Sequence, residues 1–360
     1  MKAAVFHGPN QPLLIENVEI DEPLEREVIV KVMASGVCHS DLHFVDGLYP
    51  MAAPAILGHE VAGIVEKVGS QVVQFQVGDQ VIGCLSLFCG SCKYCLQGRP
   101  NLCQNPEVRR RTVNRPKYTL NGSPVGQMAN LGSYAEKMLV HENTLVKMGN
   151  GIGFEQAALI GCGVTTGVGA VLNTARIPAG ATVAVWGAGG VGLAAIQGAK
   201  IAGAGMIIAV DMIESKLKTA RDLGATHVVD ASSHDPVQAV KDLTGGGVEY
   251  SFEAIGNKRA AEQCYEALER GGTATIIGMI PVGQKVEIDG PSLLGEKKLQ
   301  GSSMGSNRFR TDMPKYIDFY KRGLLNLDDM ITRTGTLEDV NEAFRAMKAG
   351  EVARTVLKFY

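Results

Sequence analysis

The run Gly187-Ala188-Gly189-Gly190-Val191-Gly192 constrains the fold of this 360-residue chain more than any other feature. It follows the short apolar stretch Thr182-Val-Ala-Val-Trp186 and opens the helix-like stretch Val191 to Lys200. A G-x-G-x-x-G pattern is weak alone, and its bland reading is a tight turn that binds nothing. Between a strand and a helix it has a physical logic. The first glycine turns the chain, the second lets backbone approach a pyrophosphate, and the third packs helix on strand. The helix N-terminus then faces the phosphates. Asp211 ends the next apolar run, Met206 to Val210, 24 positions after Gly187. Its carboxylate would accept hydrogen bonds from a ribose diol and repel a 2′-phosphate, which favours NAD(H) over NADP(H). Lys216 is within reach of the same ribose, or is an ordinary helix-surface lysine.

Strand–helix alternation continues through His227-Val-Val, Tyr250-Ser-Phe-Glu and Thr273-Ala-Thr-Ile-Ile. Repeated βαβ units imply a parallel sheet covered by helices on both faces, an α/β fold. Residues 1 to about 140 have a different texture. Short apolar runs such as Val28 to Met33 and Val61 to Val68 are punctuated by Gly, Pro and Asp and read as β-rich structure. From about residue 304 the pattern turns helical and closes on the strand-like Thr355-Val-Leu-Lys-Phe. A chain of this length is expected to form about two domains. Residues 104–131 are polar and irregular and are expected to be a long surface loop. Within them Arg109-Arg110-Arg111, with Arg115 and Lys117 close by, reads as a solvated basic stretch. Net charge is −2, so neither nucleic acid nor an anionic membrane is an expected partner. The most apolar windows, such as Met206 to Val210, are too short to span a bilayer, and the N-terminus lacks a signal-peptide run. A cytoplasmic, reducing compartment is therefore expected, which favours metal binding over disulfides for the cysteines.

Cys89, Cys92, Cys95 and Cys103 have the spacing C-x2-C-x2-C-x7-C. One loop can wrap a single ion at such gaps, and four thiolates suit tetrahedral zinc. Bacterial ferredoxins share the first two gaps, but their third is shorter and ends in Cys-Pro. A closed four-ligand set leaves no open position, so this site is expected to be structural. A second constellation is dispersed: Cys38, followed by His39, Ser40, Asp41 and His43; then His59-Glu60; then Cys162 between two glycines. Two thiolates and an imidazole leave a fourth position open, the pattern of a reactive zinc. Spacing does not show that these residues meet, and a lone cysteine such as Cys162 is also a common core residue.

Gly58-His59-Glu60 through Gly69, Gly78-Asp79, the four-cysteine stretch, Gly161-Cys162-Gly163, the glycine fingerprint and Ser251-Phe-Glu-Ala-Ile-Gly occur in one order along nearly the whole chain. In these the chain resembles the zinc-dependent alcohol dehydrogenases of the medium-chain dehydrogenase/reductase superfamily. The resemblance implies a GroES-like, β-rich catalytic domain of residues 1–163 and 304–360, with a structural zinc lobe at about 84–104. It implies a Rossmann NAD-binding domain, a doubly wound parallel sheet, at 164–303. It implies that Cys38, His59 and Cys162 hold a reactive zinc, so two Zn²⁺ and one NAD(H) per chain. Glu60 matches a carboxylate that assists ligand exchange, and Asp41 one that orients the ligand histidine. Ser40 and His43 match a relay that passes the alcohol proton, by way of a cofactor ribose hydroxyl, to solvent. His39 and Arg354 match residues on the cofactor phosphates. Thr166 and Val191 match residues lining the nicotinamide, against readings as a helix cap and a core valine.

Leu85, Ser86, Met128, Ala129, Met279 and Ile280 fall at the family's substrate-pocket positions. Their mostly apolar character favours a fairly bulky primary alcohol, aliphatic or aromatic, over a polyol, whose hydroxyls need partners when buried. The glutathione-dependent formaldehyde dehydrogenase branch carries an acidic pocket residue about eleven positions before the ligand histidine. Here Leu48 and Tyr49 fall there, and Asp46 is displaced. The alternatives are a polyol or amino-alcohol dehydrogenase or an aldehyde reductase on the same scaffold, or a non-catalytic NAD(H)-binding protein. The last would have lost zinc ligands or relay residues, and all are present. A nucleic-acid-binding zinc protein lacks a recognition-helix pattern here. The expected partners are a small-molecule alcohol or aldehyde and a second copy of the chain, with a dimer favoured over a tetramer.

Overall fold

The structure is a computed structural model and describes residues 1–109, 111 and 114–360. The chain divides into two compact units. The first contains Met1–Cys162, Arg308–Arg322 and Leu327–Tyr360; the second contains Gly163–Asn307 and Gly323–Asn326. The second junction lies beyond the expected residue 303. Residues 304–307 stay with the second unit because Gly305 lies against the backbone of Thr165, Thr166 and Gly169 and accepts a hydrogen bond from Asn173 Nδ2 at 3.2 Å. Gly323–Asn326 returns there as well, where Asn326 N–H donates to Gln197 Oε1 at 2.7 Å.

The second unit is built on one parallel sheet. Its strands lie side by side in the order His227–Asp230, Met206–Asp211, Thr182–Trp186, Val248–Glu253, Leu268–Ile276 and Lys298–Gly301. In chain order that is 3-2-1-4-5-6, the doubly wound arrangement, with its switch point between Thr182–Trp186 and Val248–Glu253. The central strands are apolar on both faces because helices cover both, and Ala184, Ile208 and Trp186 are buried.

The first unit is β-rich. Its frame is the valine-rich strand Glu27–Val37, which pairs with Glu60–Val68, Lys137–His141 and Thr355–Lys358. Two register shifts opposite Glu60–Val68 bend it. Register then places three strand ends together. Gly36 lies opposite Glu60 and Thr355 opposite Val37. Cys38, His59 and Arg354 each lie one residue beyond one of these ends.

Two expectations about residues 104–131 are corrected. The segment is not a loop throughout: Tyr118–Leu120 and Ser123–Gln127 form an antiparallel hairpin. Asn121 and Gly122 both have positive φ, 50° and 79°, which supplies the twist of a two-residue hairpin turn. Nor is the basic run simply solvated. The Arg111 side chain is 7% exposed and pairs with Asp21 at 2.6 Å and Glu27 at 2.7 Å. Arg109 donates to Cys103 O, and Arg115 pairs with Asp21 at 2.6 Å; Arg110 lies outside the described residues. A third correction concerns apolar length. The helical run Phe154–Ala175 is long and apolar enough to cross a membrane by composition, but most of it is buried within the protein.

Candidate functional site

Cys38, His59, Glu60 and Cys162 bring one ligand atom each within 4.8 Å of one another, all buried. Cys38 precedes the helix His39–Val45, and His59 precedes the strand Glu60–Val68. Cys162 arrives on a different kind of element. The helix Phe154–Leu159 runs into a π-helical turn, Ile160–Val164. Such turns recur at functional sites. Gly161 lets this turn approach the sheet, since a Cβ there would lie 2.9 Å from Gly83 O and 3.3 Å from Val61 N. The dispersed cysteine is therefore a member of this cluster and not an isolated core residue.

The imidazole of His59 is oriented from behind. Asp41 Oδ1 lies 3.1 Å from His59 Nδ1. A proton on Nδ1 leaves the Nε2 lone pair free, and Nε2 is buried with no hydrogen-bond partner among the described residues. A buried nitrogen facing two thiols is the donor set that suits zinc. With no ion between them, the buried groups shift one another strongly. A hydrogen bond from Cys162 holds Cys38 well below the usual thiol range against the effect of burial, and Cys162 is raised in turn. Burial works against a charged His59, but the Asp41 carboxylate and the Cys38 thiolate raise it well above the usual range. Burial pushes Glu60 up to about 7, against the pull of Arg354. Arg354 Nη2 lies 3.2 Å from Glu60 Oε1, and Nη1 donates to Val37 O at 3.2 Å. Its Nε is buried without a hydrogen-bond partner among the described residues.

Ser40 and His43 lie on the helix after Cys38, three residues apart and so on one face. Cys38 Sγ and Ser40 Oγ are 3.7 Å apart. His43 is stacked on Tyr49, with ring centroids 5.9 Å apart, and meets His39 edge-on at 6.3 Å. Burial holds its pKa below the usual histidine range, and its Nδ1 has no hydrogen-bond partner among the described residues. Asp46, the carboxylate nearest the position of the glutathione-branch acid, is paired with Lys348 at 3.0 Å.

The four-cysteine stretch forms a closed knot. Sγ–Sγ separations are 3.6 Å for Cys92–Cys95 and 3.9 Å for both Cys89–Cys95 and Cys92–Cys103. A tetrahedron with Zn–S bonds of about 2.3 Å has edges of about 3.8 Å. The N–H groups of Ser91 and Cys92 lie 3.4 and 3.2 Å from Cys89 Sγ. Against burial, these and the Ser91 hydroxyl lower the Cys89 thiol to about 5.

In the second unit the glycine turn follows its strand and caps the helix Gly190–Ile201. Gly187 has a φ of 93°, and a Cβ on Gly192 would collide with the Gly187 carbonyl. A Cβ on Gly189 would meet nothing within 4 Å, so the space in front of it is left open. Asp211 stands beside the turn: Oδ2 accepts from Ala188 N–H at 2.7 Å, and Oδ1 from Met212 and Ile213 N–H. Val191 is half-buried in the first turn of that helix, and Lys216 is half-buried on Glu214–Asp222. Thr166 is inside a helix and not at its cap, with Oγ1 3.2 Å from Met304 Sδ.

The substrate-position residues divide between the units. In the first, Ser86 is buried, Leu85 half-buried, and Met128 is packed in a core cluster with Ala129 against it. Met279 and Ile280 are half-buried in the second. Two residues escaped the sequence reading. Tyr134 donates from Oη to Asp41 Oδ2 at 2.8 Å. Glu253 accepts N–H bonds from Ile255, Gly256, Asn257 and Gly278, which clamps the turn after its strand. Glu253 stands inside the Ser251-Phe-Glu-Ala-Ile-Gly motif, but nothing in the sequence around either residue marks these contacts.

Comparison with known proteins agrees with this geometry. Residues 24–150 match a family model described as alcohol dehydrogenase GroES-like domain, and residues 190–322 one described as zinc-binding dehydrogenase. The chain is 38% identical to an alcohol dehydrogenase class-3 of Zea mays, over 99% of this chain and 96% of that protein. It is 37% identical to an S-(hydroxymethyl)glutathione dehydrogenase of Synechocystis, over 99% of each. Among solved structures, benzyl alcohol dehydrogenase from Acinetobacter calcoaceticus superposes with a TM-score of 0.93 at 33% identity, covering 100% of this chain and 99% of that one.

Proposed function

We infer the chemistry below from one premise: the chain belongs to the zinc-dependent alcohol dehydrogenases of the medium-chain dehydrogenase/reductase superfamily. It is an oxidoreductase that interconverts an alcohol and its carbonyl product. The finer reading is an NAD-dependent enzyme with two zinc ions per chain, acting on a fairly apolar primary alcohol. The observation that carries it is the gathering of Cys38, His59 and Cys162 around the unpartnered Nε2 of His59.

Cys38, His59 and Cys162 would hold the reactive zinc, which when bound supplies a Lewis acid that makes an alcohol hydroxyl easier to deprotonate. Glu60, held by Arg354, sits beside these ligands as a carboxylate able to compete for the same position. Ser40 Oγ would accept the alcohol proton while giving up its own hydroxyl proton, and His43 would be the base at the far end of the relay. The Cys89–Cys103 knot would hold the second zinc and keep its loop in shape. The glycine turn and Asp211 would hold NAD, which carries the hydride chemistry. By the resemblance, His39 and Arg354 would contribute basic groups to the phosphates.

Asp211→Asn tests the cofactor reading. A hydrogen bond to a charged group is worth about 1.5–3 kcal/mol, so kcat/KM with NAD should fall roughly 10- to 100-fold. Activity with NADP should be retained or rise, as the repulsion of its 2′-phosphate is removed. An unchanged NAD/NADP ratio would contradict that role.

The substrate reading rests on Leu48 and Tyr49 at the glutathione-branch position and on the likeness to a benzyl alcohol dehydrogenase. A second reading, S-(hydroxymethyl)glutathione, is favoured by the names of the relatives. Asp46 speaks against it, because its carboxylate is taken by Lys348. Initial rates with benzyl alcohol, hexanol and formaldehyde plus glutathione decide between them. The expected kcat/KM is highest for the first two; a preference for the glutathione adduct would reverse the reading.

A homodimer is supported by the edge strand Lys298–Gly301, with its exposed Leu299, and by the exposed Leu293 and Leu294 just before it in the chain. Thiolate-rich metal sites fit a reducing compartment, the cytoplasm.

A further inference from the structure

The Asp41 carboxylate is 0% exposed, and a buried charge needs its lone pairs satisfied. It is surrounded by four donors. Oδ1 faces His59 Nδ1 at 3.1 Å and Gly58 N–H at 3.0 Å. Oδ2 faces Cys38 N–H at 3.3 Å and Tyr134 Oη at 2.8 Å. The phenol therefore makes the shortest of the four contacts, and it does so from a separate part of the chain.

Tyr134 is itself held at both ends. Its N–H donates to Leu57 O at 3.0 Å, next to Ser133 N–H on Gly58 O at 3.0 Å. The backbone beside Tyr134 is thus paired with the two residues that precede His59. Its ring packs in the core with Phe6, Leu13 and Leu57 and meets Phe344 edge-on at 6.1 Å. Phenylalanine would serve that packing as well. A hydroxyl in such a core costs stability unless it is bonded. Burial and the Asp41 charge raise Tyr134 well above the usual phenol range, so the proton stays on the ring oxygen and is donated.

We propose that Tyr134 is a positioning residue that pins the Asp41 carboxylate and, through it, the His59 ring in the orientation that presents Nε2 to the reactive metal. The proposal rests on the reading that Cys38, His59 and Cys162 hold a metal. Without the phenol, Oδ2 keeps only the long Cys38 contact, and the carboxylate is held mainly through Oδ1, by Gly58 N–H and His59 itself, so its orientation is less tightly fixed. Substitutions behind a metal ligand cost about 10- to 100-fold in metal affinity or activity.

The test uses the full-length zinc enzyme and its cobalt-substituted form, with Tyr134→Phe, Asp41→Asn and the double variant. Tyr134→Phe should lose one of two zincs to a chelator about tenfold faster than the parent, with the other zinc unaffected. The visible absorption of cobalt at the three-ligand site should shift. In the Asp41→Asn background the same change should add less than about twofold, because the pathway is already cut. An unshifted cobalt spectrum together with parental zinc-release kinetics would overturn the proposal, whatever happens to turnover. So would an undiminished effect in the Asp41→Asn background. A parent enzyme that binds no cobalt outside the four-cysteine knot would instead sink the metal reading itself, and the proposal with it.

Discussion

Cys38→Ser should abolish alcohol oxidation while leaving a folded protein. Serine is a poor zinc ligand, and the two remaining protein ligands, His59 and Cys162, do not complete a site. A bound zinc supplies several kcal/mol toward the charge that develops on the alcohol oxygen. The rate should therefore fall at least about 1,000-fold. Zinc content should drop by one ion per chain, and the thermal midpoint should move little, since the strand ends around Cys38 are held by Val37–Thr355 and Gly36–Glu60 pairing. Activity and zinc content measured on the same preparation check both parts. Full activity without metal at this position would refute the scheme.

Cys95→Ser should do the opposite. The knot from Cys89 to Cys103 has only a four-residue helix, Lys93–Leu96, and a 3-10 turn, Pro100–Leu102, to hold it. Outside the thiols its anchors include Arg109 Nη2 on Cys103 O at 2.9 Å, Asn143 Nδ2 on Phe88 O at 2.8 Å and Arg310 over the Phe88 ring at 5.1 Å. Losing the ion should unravel the lobe and lower the thermal midpoint by roughly 10 °C, the shift that about 3–4 kcal/mol produces in a unit of this size. Turnover per folded, zinc-containing chain should stay within about threefold of the parent, because these thiols do not touch the reacting groups. A midpoint unchanged by the loss of this zinc would contradict its structural role.

Much of the site was legible in the sequence because metal ligands and phosphate turns leave few chemical alternatives. Cys, His and Gly at fixed spacings declare themselves, and the doubly wound sheet follows from the strand–turn–helix around Gly187. What the sequence hid depends on long-range register. Arg111 reads as solvated until Asp21 and Glu27, some ninety residues earlier, are brought to it. The hairpin Tyr118–Gln127 was masked by prolines and polar residues, although Asn121-Gly122 is a hairpin turn signal. The run Phe154–Ala175 escaped notice because its glycines and threonines break the apolar pattern while helping it to pack. Tyr134 is the clearest case. Nothing in Gly-Ser-Tyr-Ala-Glu marks a hydroxyl aimed at Asp41, ninety-three positions away. Only the pairing of residues 133–134 with 57–58 brings them together.

The central claim is that the reactive metal belongs to Cys38, His59 and Cys162 and not to the more conspicuous cysteine knot. Anomalous diffraction at the zinc edge, on crystals of the purified full-length protein, tests it most directly. The expected map has two peaks per chain, one within bonding distance of Cys38 Sγ, His59 Nε2 and Cys162 Sγ, and one among the four cysteines. A single peak confined to Cys89, Cys92, Cys95 and Cys103, in crystals of protein that still oxidises alcohol, would contradict it.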